Sequence, residues 1–333
     1  MTSTAPSARV AVIGASGHTG RFVVAELARR GATPLPTSRS GRFSPIGGGT
    51  EKCAAVDVTD PASLDHVLAR ADAVVNCAGP FFDTAEPVAR AAIRRGIPNF
   101  DVTADQDTAL ATFERLDAAA RAAGVTVVPA MAFFGGLADL LVSAVAPDRA
   151  DDVEVAVGLD SWHPTDGTRE TGARNTAPRL VVRGGELVPV PVPPPTASWD
   201  FPEPLGHQPV TCVALSEIVL VARHIPVSRM TSYMNLAPLD DLHGDRSPEA
   251  VDERGRSAQR FIVDVRVHAD GEESRATARG QDIYAVTAPI IVSACLALLA
   301  DDDAPRGVRA PGEVFDARDF LAALAPDVTV TLP

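Results

Sequence analysis

Lysine is almost absent from this chain of 333 residues, because Lys52 is the only one and arginine carries the rest of the positive charge. Acidic residues outnumber basic ones by 43 to 30, which gives a formal net charge of −13. A surface of that charge repels a phosphate backbone, so we expect no nucleic-acid partner. Any phosphate group of a small ligand must then be bound by local arginines and backbone N–H groups.

Cysteine and long apolar runs are also scarce. Residues 1–9 lack the apolar core of a secretory signal, and the apolar run at 288–300 is interrupted by Pro289 and Ser293. We therefore expect a soluble, cytoplasmic protein without a membrane-spanning segment. The four cysteines show no Cys-x-x-Cys spacing and predict reduced thiols rather than disulfides or a metal site: Cys53, Cys77, Cys212 and Cys295.

Several classes of enzyme lack their motifs here. Short-chain dehydrogenases need a Tyr-x-x-x-Lys pair, and neither Tyr233 nor Tyr284 is followed by a lysine four residues on. The Gly-x-Ser-x-Gly elbow of serine hydrolases and a cluster of metal ligands are missing from the sequence as well. Short-chain dehydrogenase, serine hydrolase and metalloenzyme chemistry are therefore not expected.

What the sequence does contain is a glycine-spaced turn between an apolar strand at 10–13 and a helix at 21–30. Glycines at these spacings allow a tight turn and a close approach of backbone to a pyrophosphate, which binds at the helix N-terminus. This strand, turn and helix predict a dinucleotide site. The residues of the turn that we expect to contact the cofactor are Gly14, Ser16, Gly17, His18 and Thr19.

A second strand, at 33–37, contains Pro34 and Pro36. Both prolines remove N–H donors on the same side, so we expect this strand to be short or paired on one side only. Arg39, between Ser38 and Ser40, follows where such a domain reads the adenosine ribose. A cation at this point favours the 2′-phosphate of NADP over NAD, so we expect Ser38, Arg39 and Ser40 to contact the cofactor. The alternative is a solvated loop arginine.

Strands and helices then alternate, with strands at 53–58, 73–80, 97–102 and 125–128. We expect one helix capped by Asp60, a second capped by Thr84 that runs to Arg95, and a long one at 108–123. This order predicts an α/β fold with a Rossmann-type, doubly wound parallel sheet, whose ligand lies outside the carboxyl ends of the strands. The further cofactor-binding residues predicted at those ends are Asp57, Val58, Cys77, Ala78, Gly79 and Pro80.

The second half alternates polar and apolar residues at 153–159, 179–183, 230–236, 261–268 and 274–278. This pattern predicts a second, α+β domain with a mixed or antiparallel sheet. Segments 188–195 and 239–256 are expected to be loops. A last amphipathic segment at 316–325 precedes a Val-Thr-Val strand.

Candidate catalytic residues are few. His163 is a weak candidate for a proton donor and Arg169 for a carboxylate ligand, with a loop imidazole and a surface ion pair as the competing interpretations. Phe81 and Phe133 are candidates for the lining of a substrate pocket, although aromatic residues at such positions also form core.

Four motifs together resemble the saccharopine dehydrogenase-like reductases, including the trans-acting enoyl reductase branch, and the segment 280–288 resembles the part of that family's chain that returns to the nucleotide domain. The motifs are Gly14-Ala15-Ser16-Gly17-His18-Thr19-Gly20, Ser38-Arg39-Ser40, Val75-Asn76-Cys77-Ala78-Gly79-Pro80-Phe81 and Phe100-Asp101-Val102-Thr103. The resemblance implies an NADP-dependent reductase with a Rossmann domain, a mixed-sheet substrate domain and a homodimeric assembly.

The chain departs from the family's pattern at two places, and both concern the substrate and not the cofactor. The family follows its Asp-x-Thr step with Gly-Glu, whereas this chain has Ala104 and Asp105, and residues 132–139 replace the family's Gly-Phe-Asp. Asp105 is therefore added to the substrate candidates, and the family's substrate is not carried over.

These observations predict an NADP-binding domain at 1–134, to which a helix at 284–300 returns. They also predict a substrate and dimerisation domain at 135–283, and a segment at 301–333 that packs on the nucleotide domain. The predicted function is hydride transfer from NADPH to an imine or an activated C=C or C=O bond of a small molecule. The alternative is a sensor or scaffold protein that binds NADP without turnover.

Overall fold

The structure is a computed structural model, and it describes residues 7–146, 148–242 and 244–333. The prediction that residues 1–9 hold no secretory signal falls mostly on residues 1–6, which lie outside the described residues. No helix within the described ranges is long and apolar enough to cross a membrane.

Strands and helices alternate in the first half and strands dominate the second. The strands are β1 (Arg9–Ile13), β2 (Thr33–Ser38), β3 (Arg42–Phe43), β4 (Glu51–Lys52), β5 (Ala54–Ala55), β6 (Ala73–Asn76), β7 (Asn99–Asp101), β8 (Thr126–Val128), β9 (Ala150–Leu159), β10 (Leu180–Arg183), β11 (Glu186–Pro189), β12 (Thr196–Asp200), β13 (His207–Cys212), β14 (Val227–Asn235), β15 (Arg260–Ala269), β16 (Glu272–Gln281), β17 (Gly307–Val308) and β18 (Val328–Thr331). The helices are α1 (His18–Arg29), α2 (Pro61–Leu68), α3 (Phe81–Arg95), α4 (Gln106–Ala122), α5 (Gly136–Val145), α6 (Asp166–Arg174), α7 (Ser216–His224), α8 (Ala237–Asp241), α9 (Thr287–Leu299), α10 (Pro311–Val314) and α11 (Ala317–Ala322).

The first sheet is parallel throughout and has the strand order β17-β8-β7-β6-β1-β2-β5. Its central strands β1 and β6 are almost wholly buried, as expected for a sheet covered by helices on both faces. The six predicted strands are present, although β5 shrinks to two residues. This sheet confirms the predicted Rossmann-type fold, and β17 is a seventh strand that the sequence did not predict.

The two prolines of β2 confirm the one-sided pairing. Thr33 to Pro36 pair with β1, while β5 pairs only with Thr37 and Ser38, beyond both prolines. The Thr33 N–H donates to the Ala8 carbonyl, and the Thr37 carbonyl accepts from the Ala15 N–H, so both ends of β2 bond to the segment that contains β1. Proline thus fixes which neighbour this strand has over most of its length.

Helix starts were predicted with mixed success. Asp60 caps α2 as expected, because its carboxylate accepts from the Ala62 N–H. Thr84 is not a cap: α3 begins at Phe81, three residues earlier, and the Thr84 hydroxyl is used within the fold. The prediction that Thr84 caps the helix was wrong. Its hydroxyl donates to the Ala78 carbonyl, outside α3, instead of accepting from a backbone N–H of the helix.

The second sheet is mixed, since β9 and β14 are parallel and the remaining pairs are antiparallel. Its main path runs β11-β10-β14-β9-β15-β16-β18, and β13 joins β12 to β14. The predicted mixed sheet in the second half of the chain is therefore confirmed. The expected loop at 188–195 overlaps β11, and β12 and β13 were not predicted.

The end of the chain contributes to both sheets. Strand β17 pairs with β8 of the first sheet, whereas β18 pairs with β16 of the second. The segment 301–333, predicted to pack on the nucleotide domain, therefore places one strand in each sheet. The largest hydrophobic core likewise includes residues of both sheets, such as Val12 and Val265, together with Leu140 of α5.

Candidate functional site

A cleft of about 1590 Å³ lies at the carboxyl ends of β1, β2, β6 and β7. Its other side is lined by helix α6, by residues 177–179 and by Trp162, Pro164, Thr165, Ile283, Tyr284 and Thr287. The cleft therefore lies where an open α/β sheet binds its ligand, with a second wall that the mixed-sheet half of the chain supplies.

The glycine turn forms one end of the cleft. Gly14 has φ 78°, and a Cβ added to it would lie 2.8 Å from the Ala78 backbone nitrogen and α-carbon. No side chain caps α1, because its N-cap residue is Gly17. The first-turn N–H groups of α1 have no partner within the helix, so they are available to an anion in the cleft.

His18, the first residue of α1, has a hydrogen-bonding group that the fold leaves unused. Its Nδ1 lies 3.3 Å from Nη2 of Arg21, which only donates, so Nδ1 is the acceptor and Nε2 carries the proton of the neutral ring. Burial lowers the His18 pKa, which agrees with a neutral imidazole. Nε2 is buried and has no partner among the described residues. An N–H donor without an acceptor beside a glycine turn fits a phosphate oxygen of a dinucleotide.

At the far end of β2, the three predicted residues have different surroundings. Arg39 is exposed, lines the cleft and has no ion-pair or hydrogen-bond partner in the part of the chain that the structure describes. The Ser38 hydroxyl donates to the Arg42 carbonyl at 2.8 Å and accepts from the Arg42 N–H at 3.0 Å, so it belongs to its own turn. Ser40 is not among the cleft-lining residues. Arg39 is therefore the residue of this group best placed for a 2′-phosphate.

Asp57 and Val58 line the cleft near Arg39. The Asp57 carboxylate accepts from the Thr59 N–H at 2.9 Å and from its hydroxyl at 2.7 Å. These two hydrogen bonds lower the Asp57 pKa. The carboxylate therefore shapes this edge of the cleft and keeps its charge.

The segment 77–80, with Cys77, Ala78, Gly79 and Pro80, lines the cleft beside the glycine turn. Burial raises the pKa of the Cys77 thiol, so Cys77 is a neutral lining residue. Two buried side chains that the cofactor prediction did not include hold this turn. They are Asn76 and Thr84, and we call them the turn clamp.

The turn clamp holds both polar backbone groups of Ala78. Asn76 Oδ1 accepts from the Ala78 N–H at 3.0 Å, and the Thr84 hydroxyl donates to the Ala78 carbonyl at 2.5 Å. Asn76 Nδ2 in turn donates to Thr84 Oγ1 at 3.2 Å. The sequence signal for this arrangement is an Asn at a strand end followed eight residues later by Thr, which is too general to have been found.

Helix α6 crosses the other wall of the cleft. Each of its nine residues lines the cleft and none of them is buried. Arg174 at its end forms an ion pair with Asp83 of α3 at 2.9 Å and lies 4.7 Å from the centre of the Phe82 ring. A Cβ on Gly79 would lie 3.8 Å from the Thr171 hydroxyl. The helix thus faces the 77–80 turn across the cleft.

Tyr284 connects α6 to the glycine turn. Its hydroxyl oxygen lies 3.1 Å from Trp162 Nε1, 3.3 Å from the Thr165 backbone nitrogen and 3.1 Å from Thr168 Oγ1. Its ring meets the His18 imidazole edge-on, with 5.3 Å between centroids. Burial raises the Tyr284 pKa. This tyrosine is not among the site residues predicted from the sequence.

The predicted substrate residues do not form one group. Phe81 and Phe133 line the cleft, and Phe133 also packs edge-on against Phe261 of the core, at 4.7 Å between centroids. Asp105 lines the cleft too, but its carboxylate caps α4 by accepting from Thr108 and also accepts from Asn175 Nδ2 at 2.6 Å.

His163 and Arg169 are placed differently from what their proposed roles require. In the extended segment before α6, Trp162 and Pro164 face the cleft and His163 does not line it, since alternate residues of an extended chain face opposite sides. Arg169 donates Nη1 to the Gly244 carbonyl and Nη2 to the Arg246 carbonyl, both at 2.6 Å. Its guanidinium therefore holds a loop instead of presenting a free fork to a carboxylate.

Comparison with known proteins places this geometry in a family context. Residues 10–128 match the family model described as the saccharopine dehydrogenase NADP binding domain. A saccharopine dehydrogenase-like oxidoreductase of Bos taurus is 30% identical over 151 residues, which cover 39% of this chain and 35% of that protein. The Homo sapiens protein of the same name is 33% identical over 116 residues, 28% of this chain and 27% of its own. The matched segments thus span about a third of these relatives.

Similarity of fold extends over the whole chain. The structure of apo saccharopine dehydrogenase (L-Glu forming) from Saccharomyces cerevisiae superposes with a TM-score of 0.67, covering 98% of this chain and 100% of that one at 13% identity. The predicted resemblance to saccharopine dehydrogenase-like proteins is therefore confirmed, and the family match supports NADP as the cofactor.

Proposed function

We propose, from the saccharopine dehydrogenase-type NADP-binding domain that this chain carries, that the protein is an NADPH-dependent oxidoreductase. In this proposal it transfers a hydride to an imine or to an activated C=C or C=O bond of a small organic molecule. The observation that carries the proposal is the continuity of the cleft, which leads from Arg39 past the glycine turn to a space between the 77–80 turn and α6. A cleft with that course has room for a dinucleotide and a second small molecule.

The roles of the chain's residues follow from their positions. Arg39 binds the 2′-phosphate, while the His18 Nε2–H and the first N–H groups of α1 bind the pyrophosphate. The 77–80 turn orients the nicotinamide end, and Phe81, Phe133 and α6 exclude water from it. When bound, NADPH supplies the hydride, so the protein needs to contribute mainly position and a polarised acceptor.

The proposal also assigns a separate role to each half of the chain. We propose residues 1–134 as the NADP-binding domain, with the helix at 284–300 returning to it, and 135–283 as the substrate and dimerisation domain. A homodimer and a cytoplasmic location remain predictions from the sequence.

The first test is a fluorescence titration of the purified protein with NADPH and, separately, with NADH. We expect NADPH to bind at least about tenfold more tightly, because a charge-assisted hydrogen bond to the 2′-phosphate contributes about 1.5–3 kcal/mol. Arg39→Ala should remove most of that preference. Arg42→Ala is the matched control, since Arg42 is exposed three residues away and does not line the cleft.

Turnover is tested next by following NADPH oxidation with a panel of aldehydes, ketones, enones, enoyl thioesters and cyclic imines. Consumption of NADPH with any member supports the oxidoreductase. Tight binding of both NADP and NADPH with silence across the panel would instead indicate a protein that senses the cofactor without turnover. Failure to bind either NADPH or NADH would remove the proposal altogether.

A further inference from the structure

The hydrogen-bond directions around Tyr284 are determined by the chemistry of its neighbours. The Trp162 indole and the Thr165 backbone nitrogen have a hydrogen to donate and no lone pair to offer, so the Tyr284 oxygen accepts from both, at 3.1 and 3.3 Å. The phenol's own hydrogen is then left for its third neighbour, Thr168 Oγ1, at 3.1 Å. Tyr284 therefore donates to Thr168.

Thr168 continues this chain into the cleft. Its hydroxyl accepts from Tyr284 and has Thr165 Oγ1 within 3.0 Å as a resting acceptor for its own hydrogen. Thr165 is the N-cap of α6, and both threonines line the cleft. Rotation about the Thr168 side chain turns the hydrogen from Thr165 towards a molecule in the cleft. A buried phenol is thus connected to the cleft through one rotating hydroxyl.

We propose that Thr168 and Tyr284 form the proton relay of the reaction. Thr168 is the catalytic residue that protonates the reduced substrate, and Tyr284 is the residue that resupplies it. The inference rests on the proposed function. It also narrows that function, because a relay made of two neutral hydroxyls suits a substrate that becomes an oxygen anion during reduction.

The hydride adds to the substrate carbon, the π electron pair moves to the carbonyl oxygen, and an alkoxide or enolate forms. The oxygen takes the Thr168 proton, Thr168 takes the Tyr284 proton, and the Tyr284 phenolate is reprotonated from solvent. The two N–H donors at the Tyr284 oxygen stabilise the phenolate while it exists. NADPH leaves oxidised by two electrons as NADP⁺.

This chemistry separates the candidate acceptors. Hydride addition to a C=O bond, or to a C=C bond conjugated with one, leaves a negative oxygen that needs a proton. Hydride addition to an iminium ion leaves a neutral amine that needs none. The inferred substrate class is therefore a carbonyl compound or a conjugated enone or enoyl compound, and not an imine that binds already protonated as the iminium ion.

The test uses four variants of the full chain and the panel of acceptors described above. Tyr284→Phe and Thr168→Val remove the two hydroxyls, whereas Thr168→Ser keeps the relay and should restore activity. Tyr233→Phe is the matched control, because Tyr233 is the chain's other tyrosine and is not among the cleft-lining residues. We expect kcat with a carbonyl or enone to fall at least about a hundredfold in Tyr284→Phe and Thr168→Val, the usual range for losing a general acid.

Two measurements do not depend on turnover. The Kd for NADPH should stay within about twofold of wild type in Tyr284→Phe and Thr168→Val, which shows that the cofactor cleft has kept its fold. In Tyr233→Phe protein the tyrosinate absorbance reports Tyr284 alone, and it should titrate above the ordinary pKa of 10 because the phenol is buried. A titration at or below that value would contradict the buried cluster.

Several outcomes would overturn the relay while leaving the oxidoreductase intact. They are retention of kcat by either Tyr284→Phe or Thr168→Val, failure of Thr168→Ser to restore it, and reduction of cyclic imines alone. Silence of wild-type protein across the panel is a different result, since it removes the proposed function and the relay with it.

Discussion

Two turns lie side by side at the carboxyl ends of β1 and β6, and they are built in opposite ways. The turn that begins at Gly14 exists because a side chain is missing, since a Cβ there would lie 2.8 Å from the backbone of Ala78. The 77–80 turn exists because side chains are present, since Asn76 and Thr84 hold both polar groups of Ala78. Both turns thus involve Ala78: Gly14 packs against its backbone, and Asn76 and Thr84 form hydrogen bonds with it.

This difference has a consequence for how each turn tolerates change. The Gly14 turn requires that no side chain be present, so an added Cβ disrupts it. Because the clash is with backbone, no rearrangement of a flexible side chain relieves it. A turn held by hydrogen bonds fails in smaller steps, because each bond is one of several. It also becomes sensitive to protonation where the side chain is a carboxylate, as at Asp101, the last residue of β7.

The largest effect is expected from Gly14→Ala. The left-handed backbone at φ 78° costs an alanine about 1–2 kcal/mol, and the contact with Ala78 adds to this cost. We expect NADPH binding to be abolished. Gly31→Ala is the matched control, because Gly31 has the same φ of 78° with no atom within 4 Å of the added Cβ. It should lose some stability and keep its affinity for NADPH. Equal loss of NADPH affinity in both variants would show that the contact with Ala78 does not distinguish Gly14 from Gly31.

A second prediction concerns Asp101, whose carboxylate holds a turn by accepting from Thr103 and Ala130 backbone N–H groups at 3.0 and 2.9 Å. Burial raises its pKa from 3.8 to about 6. The folded state therefore binds the proton more tightly than the unfolded state does. The stabilisation is complete below the unfolded pKa and is lost as the pH rises through about 6.

We expect this group to remove about 3 kcal/mol from the free energy of unfolding between about pH 4 and pH 8. Urea titrations of Asp101→Asn should show a pH dependence reduced by that amount. Asp57→Asn serves as a control of opposite sign: Thr59 lowers the Asp57 pKa, so its stabilisation is lost as the pH falls. A pH dependence unchanged in Asp101→Asn would show that this turn is not held by a carboxylate of raised pKa.

The smallest effect is expected at the turn clamp. Thr84→Val leaves the Ala78 carbonyl and Asn76 Nδ2 without their partner, and an unsatisfied buried polar group costs about 1–3 kcal/mol. The affinity for NADPH should fall about tenfold. Binding of 2′,5′-ADP, which has no nicotinamide half, should be unchanged, and Thr84→Ser should behave as wild type. Equal weakening of both ligands would mean that Thr84 acts on the whole fold.

The same contrast explains how much the sequence could predict. The glycine turn and the apolar strands are local patterns, and the parallel sheet was predicted from them. The roles of Gly14 and Arg39 in cofactor binding stay predictions. Thr84 was assigned as a helix cap because local preference favours it, whereas its hydroxyl has a partner outside its own helix. Side chains that act across the fold leave no spacing that a sequence pattern can detect.

The second sheet shows the same limit. Its long alternating strands were predicted, but β12 was not, because only Trp199 of its five residues is buried. His163 is of a suitable chemical type and lies on the face of its segment opposite to Trp162 and Pro164. Which face an extended segment turns towards a cleft depends on packing, so Tyr284 and Thr168 emerged only from the contacts.

The prolines of β2 have one more consequence, which concerns aggregation. Outer strands offer free N–H groups to which a strand of another molecule can pair. β2 is covered by β5 at Thr37 and Ser38 alone, and along the rest of that side Pro34 and Pro36 have no hydrogen to donate. The margin of the sheet beside the cofactor cleft is therefore unable to recruit a foreign strand. Pro34 and Pro36, which limit the pairing of β2 within the sheet, thus also oppose its pairing with a strand of another molecule.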